Sequence, residues 1–319
     1  DLDGDGSLDV VSCHEGREKT VWIHWGPRLK PDARPGAQLD QMLLDAGRWT
    51  SQPVPCTQGQ SSWMKGFAAS VDETHGVDLV IGSKNNGLVS WLQSPSDARD
   101  LDSWKMHQIE PAGWVMSLID VDMDADGDQD ILVSDRKGEN RGLYWIEKST
   151  GDSGKTDQKI VWQRHNIGAR DKEVMFAWPV ISPSQPVTEI WQATRNGVLY
   201  RFARKPTQTR WNQDSFANPF GLRHGKAICV APVKQDRLLV HTANTRSAGG
   251  TDRQPGVAIA RLNHDHGQLP QIDAWRDVSG LKGIKFDKIH WIDMDADGDL
   301  DLLTCEERDN LGVFWYENE

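Results

Sequence analysis

Asp293-Met-Asp-Ala-Asp-Gly-Asp-Leu-Asp301 runs directly into Leu302-Leu303-Thr304, and Gly312-Val-Phe-Trp-Tyr316 follows a few residues later. Aspartates at alternate positions around a glycine are turn chemistry, because short acidic side chains bond to nearby backbone and glycine takes up positive φ. A brief branched run between turn signals reads as a buried strand. The aromatic stretch after the next glycine reads as its hairpin partner.

The same pattern occurs twice more without gaps. Asp1-Leu-Asp-Gly-Asp-Gly-Ser-Leu-Asp9 precedes Val10-Val11, and Asp122-Met-Asp-Ala-Asp-Gly-Asp-Gln-Asp130 precedes Ile131-Leu132-Val133. Gly-led aromatic strands recur at Gly87-Leu-Val-Ser-Trp91, Gly142-Leu-Tyr-Trp145 and Gly197-Val-Leu-Tyr200. Lone tryptophans open a further alternating strand at Trp49, Trp104, Trp162, Trp211 and, weakly, Trp275. A fourth strand leads into each aspartate loop, as in Trp114-Val-Met-Ser-Leu-Ile119. Four short strands in a unit of roughly 50–60 residues is the pattern of a propeller blade. The expectation is an all-β fold, a single β-propeller of four-stranded antiparallel blades over 1–319. Its six repeats run approximately 1–55, 56–110, 111–168, 169–218, 219–280 and 281–319, which gives six or seven blades. The first repeat lacks a leading strand and the sixth stops before an outer one. Helical periodicity is confined to one turn at Leu39–Leu44.

Composition narrows the function. A formal net charge of −11 disfavours nucleic-acid binding, which needs a basic footprint. No run of 18 apolar residues predicts a membrane span. Four scattered cysteines (Cys13, Cys56, Cys229, Cys305) predict buried free thiols rather than a disulfide framework or a zinc site. The chain opens on Asp1 inside a motif and carries no signal peptide, so a processed or truncated secreted protein, extracellular or periplasmic, is expected.

The aspartate motif, its apolar strand and the closing Gly-x-x-Trp-Tyr-Glu-Asn (Gly312 to Asn318) resemble the FG-GAP/VCBS repeat family. That family includes integrin α-type seven-bladed propellers and secreted bacterial proteins. The resemblance implies propeller fold and metal loops, and leaves function open, because such propellers serve adhesion, lectin-like binding and catalysis.

Alternate aspartates around glycine aim several carboxylates at one hard cation, and calcium accepts such oxygen-rich, flexible sets better than magnesium. An EF-hand would need glutamate at loop position 12, where Ser12, Val133 and Thr304 stand. The expected ligands for up to three structural Ca²⁺ ions are Asp1, Asp3, Asp5 and Asp9; Asp122, Asp124, Asp126 and Asp130; and Asp293, Asp295, Asp297 and Asp301. Ser7, Asp128 and Asp299 are placed to add backbone carbonyls. Asp72 to Asp78 is a shortened remnant, and Lys234 to Arg237 has lost the ligand set.

The remaining loops gather cations, with Trp114 and His224 among them: Lys65, Arg136-Lys137, Lys172, Arg195, Lys226, Lys285 and Arg308. A converging basic funnel suits an anionic ligand, with arginine forks on carboxylates. Two readings follow. One is a secreted binding propeller that takes an acidic glycan or protein partner through Lys65, Trp114, Lys137, Arg195, Lys226, Lys285 and Arg308. The other is a lyase, dehydratase or isomerase of uronate glycans or keto-sugars, with His14, His224, Arg136 and Lys172 as base and stabiliser candidates. His14, Glu15, Glu306 and His224 form a possible second, channel-mouth metal set. His264-Asp-His266 is read as surface.

Overall fold

The computed structural model describes residues 1–28, 42–85, 87–150, 160–233, 236–245, 254–263 and 269–318. Leu39–Gln41 of the expected turn, residues 234–235 of the degenerate loop and His264-Asp-His266 lie outside them. The chain divides into two compact units. One holds Asp1–Asp122, Gly127–Arg141 and Trp145–His165; the other holds Met123–Asp126, Gly142–Tyr144 and Asn166–Glu319.

Three antiparallel sheets fill the first half of the chain, each pairing its strands in chain order. They are β1 (Val10–Cys13), β2 (Val21–Trp25) and β3 (Thr50–Pro53); β4 (Ser62–Ala69), β5 (Asp78–Lys84), β6 (Leu88–Gln93) and β7 (Lys105–Pro111); and β8 (Val115–Val121), β9 (Asp130–Asp135), β10 (Gly142–Thr150) and β11 (Ile160–Gly168).

Three more follow. These are β12 (Val174–Pro179), β13 (Glu189–Thr194), β14 (Val198–Ala203) and β15 (Asn212–Ala217); then β16 (Gly225–Val233), β17 (Asp236–Ala243) and β18 (Val257–Asn263); then β21 (Phe286–Ile292), β22 (Asp301–Glu306) and β23 (Gly312–Tyr316). The fifth sheet's outer strand is broken into β19 (Gln271–Ile272) and β20 (Arg276–Asp277), both paired with β18. Six antiparallel sheets of this repeat, with almost no helix, make an all-β propeller fold. No helix of the described residues is long and apolar enough to cross a membrane.

Burial follows strand order. β5, β9 and β13 are buried on nearly every residue, whereas β7 and β15 alternate or face solvent. A strand covered on both faces must be a near-continuous apolar run, which is why Ile131-Leu132-Val133 shows no alternation. The recurrent tryptophans have a physical reason. Trp49, Trp63 and Trp104 each donate Nε1–H to a carbonyl six residues upstream (Leu43, Thr57 and Ala98) at 2.9–3.0 Å. One side chain thus fills core volume and closes a loop. Trp63 is fully buried and belongs to the first unit's core with Trp25, Ile81 and Trp104.

Each leading strand also breaks register near its start, between Trp63 and Lys65, Val115 and Ser117, Val174 and Ala177, Gly225 and Ile228, and Phe286 and Ile289. Such bulges turn the strand's first residues away from the regular pleat. Most of the expected cation and aromatic positions stand at these entries or at the second-to-third-strand loops beside them.

Candidate functional site

The aspartate loops share one backbone design. The first carboxylate accepts from the glycine five residues on: Asp1 from Gly6, Asp122 from Gly127 and Asp293 from Gly298, at 2.9–3.2 Å. Asp3, Asp124 and Asp295 accept from the N–H two residues on, at 3.2–3.3 Å. Loop position four (Gly4, Ala125, Ala296) and position six (Gly6, Gly127, Gly298) lie at positive φ, which curls the chain so that side chains point inward. In the first loop one oxygen from each of Asp1, Asp3 and Asp5 lies within 4.8 Å of the others, and Asp293, Asp295 and Asp297 do the same in the third.

The last aspartate has a second role. Asp9 accepts from Leu2 N–H (2.7 Å) and Gly26 N–H (2.9 Å), and Asp301 from Met294 (2.9 Å) and Asn318 (3.0 Å). Asp78 does the same with Val71 (3.0 Å) and Ser94 (2.8 Å), although its loop is shortened and lacks the alternating aspartates. Asp130 accepts from Lys148 N–H. This carboxylate staples the loop to the end of the third strand whether or not the rest of the motif survives.

Electrostatics separates the first loop from the third. Arg99 donates Nε–H to Asp3 (2.5 Å) and reaches Asp5 (3.5 Å), Arg28 reaches Asp5 (3.2 Å), and the Arg99 guanidinium lies 4.8 Å over the Trp25 ring. Lost solvation works to raise the Asp5 pKa, but Ser7, Arg99 and Arg28 together hold it below the usual carboxylate range. In the third loop, lost solvation and the charges of Asp297, Asp301 and Asp295 push Asp299 upward instead.

In the first unit, cations converge on Trp114. Lys84 Nζ, Arg136 Cζ and Lys137 Nζ lie 5.1, 4.5 and 5.1 Å from its ring centroid. Asp135, fully buried, accepts from Gly113 (2.8 Å), Trp114 (2.7 Å) and Lys137 (3.3 Å) N–H groups and so fixes the entry of β8 against the Arg136 loop. A Cβ on Gly113 would overlap the Lys137 carbonyl oxygen, so only glycine permits this approach. Lys84 is also ion-paired with Glu15. Trp63 is a core residue and offers no face to a ligand.

Lys65 is half-buried near the Cys13 thiol, which burial pushes to about 11. All four cysteines are free; Cys229 is buried and the others are half-buried. His14 is exposed, and its Nε2 hydrogen-bonds with Ser12 Oγ (3.0 Å). Of the strand histidines, His107 stacks on Trp91 at 4.6 Å and His165 on Trp145 at 4.3 Å, which gives both a packing role.

The second unit pairs most of its cations. Lys172 meets Asp171 (3.2 Å), and Arg195 meets Glu173 (3.4 Å). Lys226 and Lys285 both reach Asp287 (3.5 and 3.2 Å), and Lys285 also pairs with Glu307. Burial holds the Lys226 ammonium below the usual lysine range, whereas Glu307 and Asp287 hold Lys285 above it against its own desolvation. The pKa of His224 is lowered by burial and by the charges of Arg195, Lys226 and Arg223, which disfavour the protonated imidazole. Arg308 is exposed, and its N–H donates to Glu306 (2.9 Å). Glu306 also accepts from Ile284, Lys285, Asp309 and Leu311; burial opposes its charge, yet these donors bring its pKa to about 2. His241 is wholly buried with neither ring nitrogen partnered, and burial brings its pKa to about 3.

His14 and Arg136 therefore belong to the first unit, and His224, Lys172 and Glu306 to the second. Asp135 and Glu306 stand at equivalent second-strand ends, each followed two residues later by a cation, a correspondence readable by aligning Asp135-Arg-Lys137 with Glu306-Glu-Arg308. Asp287 and Arg99 carry no such signal.

No protein-family profile matches the chain, and no curated protein sequence matches it. Among solved structures it is similar to a candidate 6-phosphogluconolactonase from Bacteroides fragilis, at a TM-score of 0.44 and 9% identity, over 98% of this chain and 90% of that one.

Proposed function

We propose that this propeller binds an acidic glycan through the cations gathered on Trp114. The observation that carries the reading is that Lys84, Arg136 and Lys137 surround one indole whose loop is locked by Asp135. The aromatic ring holds the three like charges together by cation–π attraction, while Asp135 is occupied by backbone donors and Glu15 pairs with Lys84. The exposed Lys137 ammonium, held beside the ring, then meets a uronate or sulfate group at low reorganisation cost. In this reading the protein is extracellular or periplasmic, of FG-GAP/VCBS type, and stabilised by calcium in its aspartate loops. Oxygen-only donor sets support a hard cation, and exposed loops suit the weak affinities, of the order of 10⁻⁴–10⁻³ M, of extracellular modules.

The test is titration calorimetry with a polyuronate, a sulfated glycan and a neutral glucan. Binding to the acidic polymers, lost on raising salt and reduced at least tenfold by Lys137→Glu, supports the reading. Equal binding to the neutral glucan overturns it.

A second reading rests on His224, an imidazole beside Arg195, Arg223 and Lys226, whose charges disfavour its protonation. A base next to cations is what a uronate lyase needs, to take the C5 proton and stabilise the resulting carbanion. Ultraviolet absorbance from unsaturated products, abolished in His224→Ala, supports it; polymer binding without such product excludes it.

A further inference from the structure

On the first sheet, two imidazoles converge on one hydroxyl. His14 Nε2 lies 3.0 Å and His24 Nε2 2.8 Å from Ser12 Oγ, and His24 Nδ1 lies 2.8 Å from Ser51 Oγ. β1 places Ser12 two residues along from the partner of His24, on the same face, since Val10 faces His24 and Ser12 faces Trp22. Trp22 in turn packs against the His14 ring at 6.1 Å. His14 is exposed, while Ser12 and His24 are half-buried, so the group is open to solution from one side.

We propose that His14 and His24 form a binding site for a borderline divalent transition-metal ion of the zinc or copper class, centred where their Nε2 atoms meet at Ser12. Four features support it. Imidazole nitrogen suits zinc and copper and does not suit calcium, so this site is chemically distinct from the aspartate loops. Ser51 Oγ hydrogen-bonds the Nδ1 side of His24, an outer-shell contact that holds the ring's orientation with Nε2 directed at Ser12. The Ser12 hydroxyl marks a point that both nitrogens reach, and its rotation about χ1 frees that point for an ion. His14 is exposed, and its ring is held by the Ser12 hydrogen bond and a tilted contact with Trp22, so rotation of its side chain can close the remaining distance. Solvent water completes the coordination, as expected of an open rather than a closed structural site.

The experiment uses the full chain in saturating calcium, so that the aspartate loops do not report. Zn²⁺ is titrated by calorimetry, and Cu²⁺ is followed by electron paramagnetic resonance and tryptophan fluorescence. One ion should bind per chain, with two nitrogen ligands in the Cu²⁺ spectrum. His14→Ala, a change at an exposed residue that leaves the core intact, should weaken binding at least tenfold, and His24→Ala should do the same. Ser51→Ala should weaken it by about tenfold through loss of ring orientation. The proposal is overturned if no stoichiometric ion binds, if His14→Ala leaves affinity unchanged, or if binding disappears instead on His264→Ala.

Discussion

The Arg99 guanidinium carbon lies 4.8 Å from the Trp25 ring centroid while its Nε–H reaches Asp3 at 2.5 Å, so the first aspartate loop carries a protein cation of its own. Asp3 and Asp5 are largely shielded from solvent, at 7% and 15% side-chain exposure, and would repel each other without it. A charge-assisted hydrogen bond and a cation–π contact are together worth about 2–3 kcal/mol. Arg99→Gln should cost about that much in urea denaturation at low calcium, and added calcium should recover part of the loss.

Calcium itself is the second prediction. EDTA should lower the melting temperature, and calcium should restore it more than magnesium. Asp293→Asn together with Asp295→Asn should remove part of the shift, because among the described residues no arginine pairs with the third loop as Arg99 does with the first. Insensitivity of the wild-type protein to EDTA would refute calcium in these loops.

Asp78 tests the staple apart from any metal. It lies in a degenerate loop yet joins Val71 and Ser94 N–H groups, as Asp9 and Asp301 join theirs. Asp78→Ala leaves both donors without an acceptor in a buried setting and should cost about 2–4 kcal/mol, unchanged by EDTA.

The hairpins were legible because three copies of one motif align without gaps, and period-two strands around Trp104 or Gly142 leave little choice of fold. The backbone-acceptor role of Asp301 was not legible, since the calcium ligand expected there and a backbone acceptor call for the same residue type at the same place. Arg99 was hidden for another reason: its partner Asp3 lies at the opposite end of two repeats, and no local spacing links them. The expected cationic face was visible as composition, but its neutralisation by Asp287, Glu173 and Asp171 depends on side-chain reach. Lone histidines on strands were legible only as a class; that His107 stacks on Trp91 follows from register.

Gly113 tests the Trp114 cluster. Gly113→Ala would place a methyl group on the Lys137 carbonyl and force the β8 entry away from Asp135. The expected result is loss of the Asp135 hydrogen bonds, at a cost of about 2–3 kcal/mol, and weakened polyuronate binding in the same variant. Stability and binding that both stay at wild-type levels would show that Trp114 is not held as described.

His241 sets the acid limit. Its pKa falls from an ordinary 6.5 to about 3 on folding, so the unfolded chain binds a proton that the folded chain refuses. Stability from this group is complete above pH 6.5 and declines as pH drops, by at most about 1.4 kcal/mol per pH unit, until the folded pKa is reached. His241→Leu replaces an unpartnered imidazole with an apolar side chain and removes that slope. Melting temperature measured from pH 7.5 to 4.5 should fall less steeply in the variant than in the wild type. Glu306 cannot mimic this effect: its pKa is lowered from 4.5 to about 2, so its contribution is intact above pH 4.5 and fades only below it. Parallel wild-type and variant curves between pH 6.5 and 4.5 would mean that the buried imidazole finds a partner when protonated.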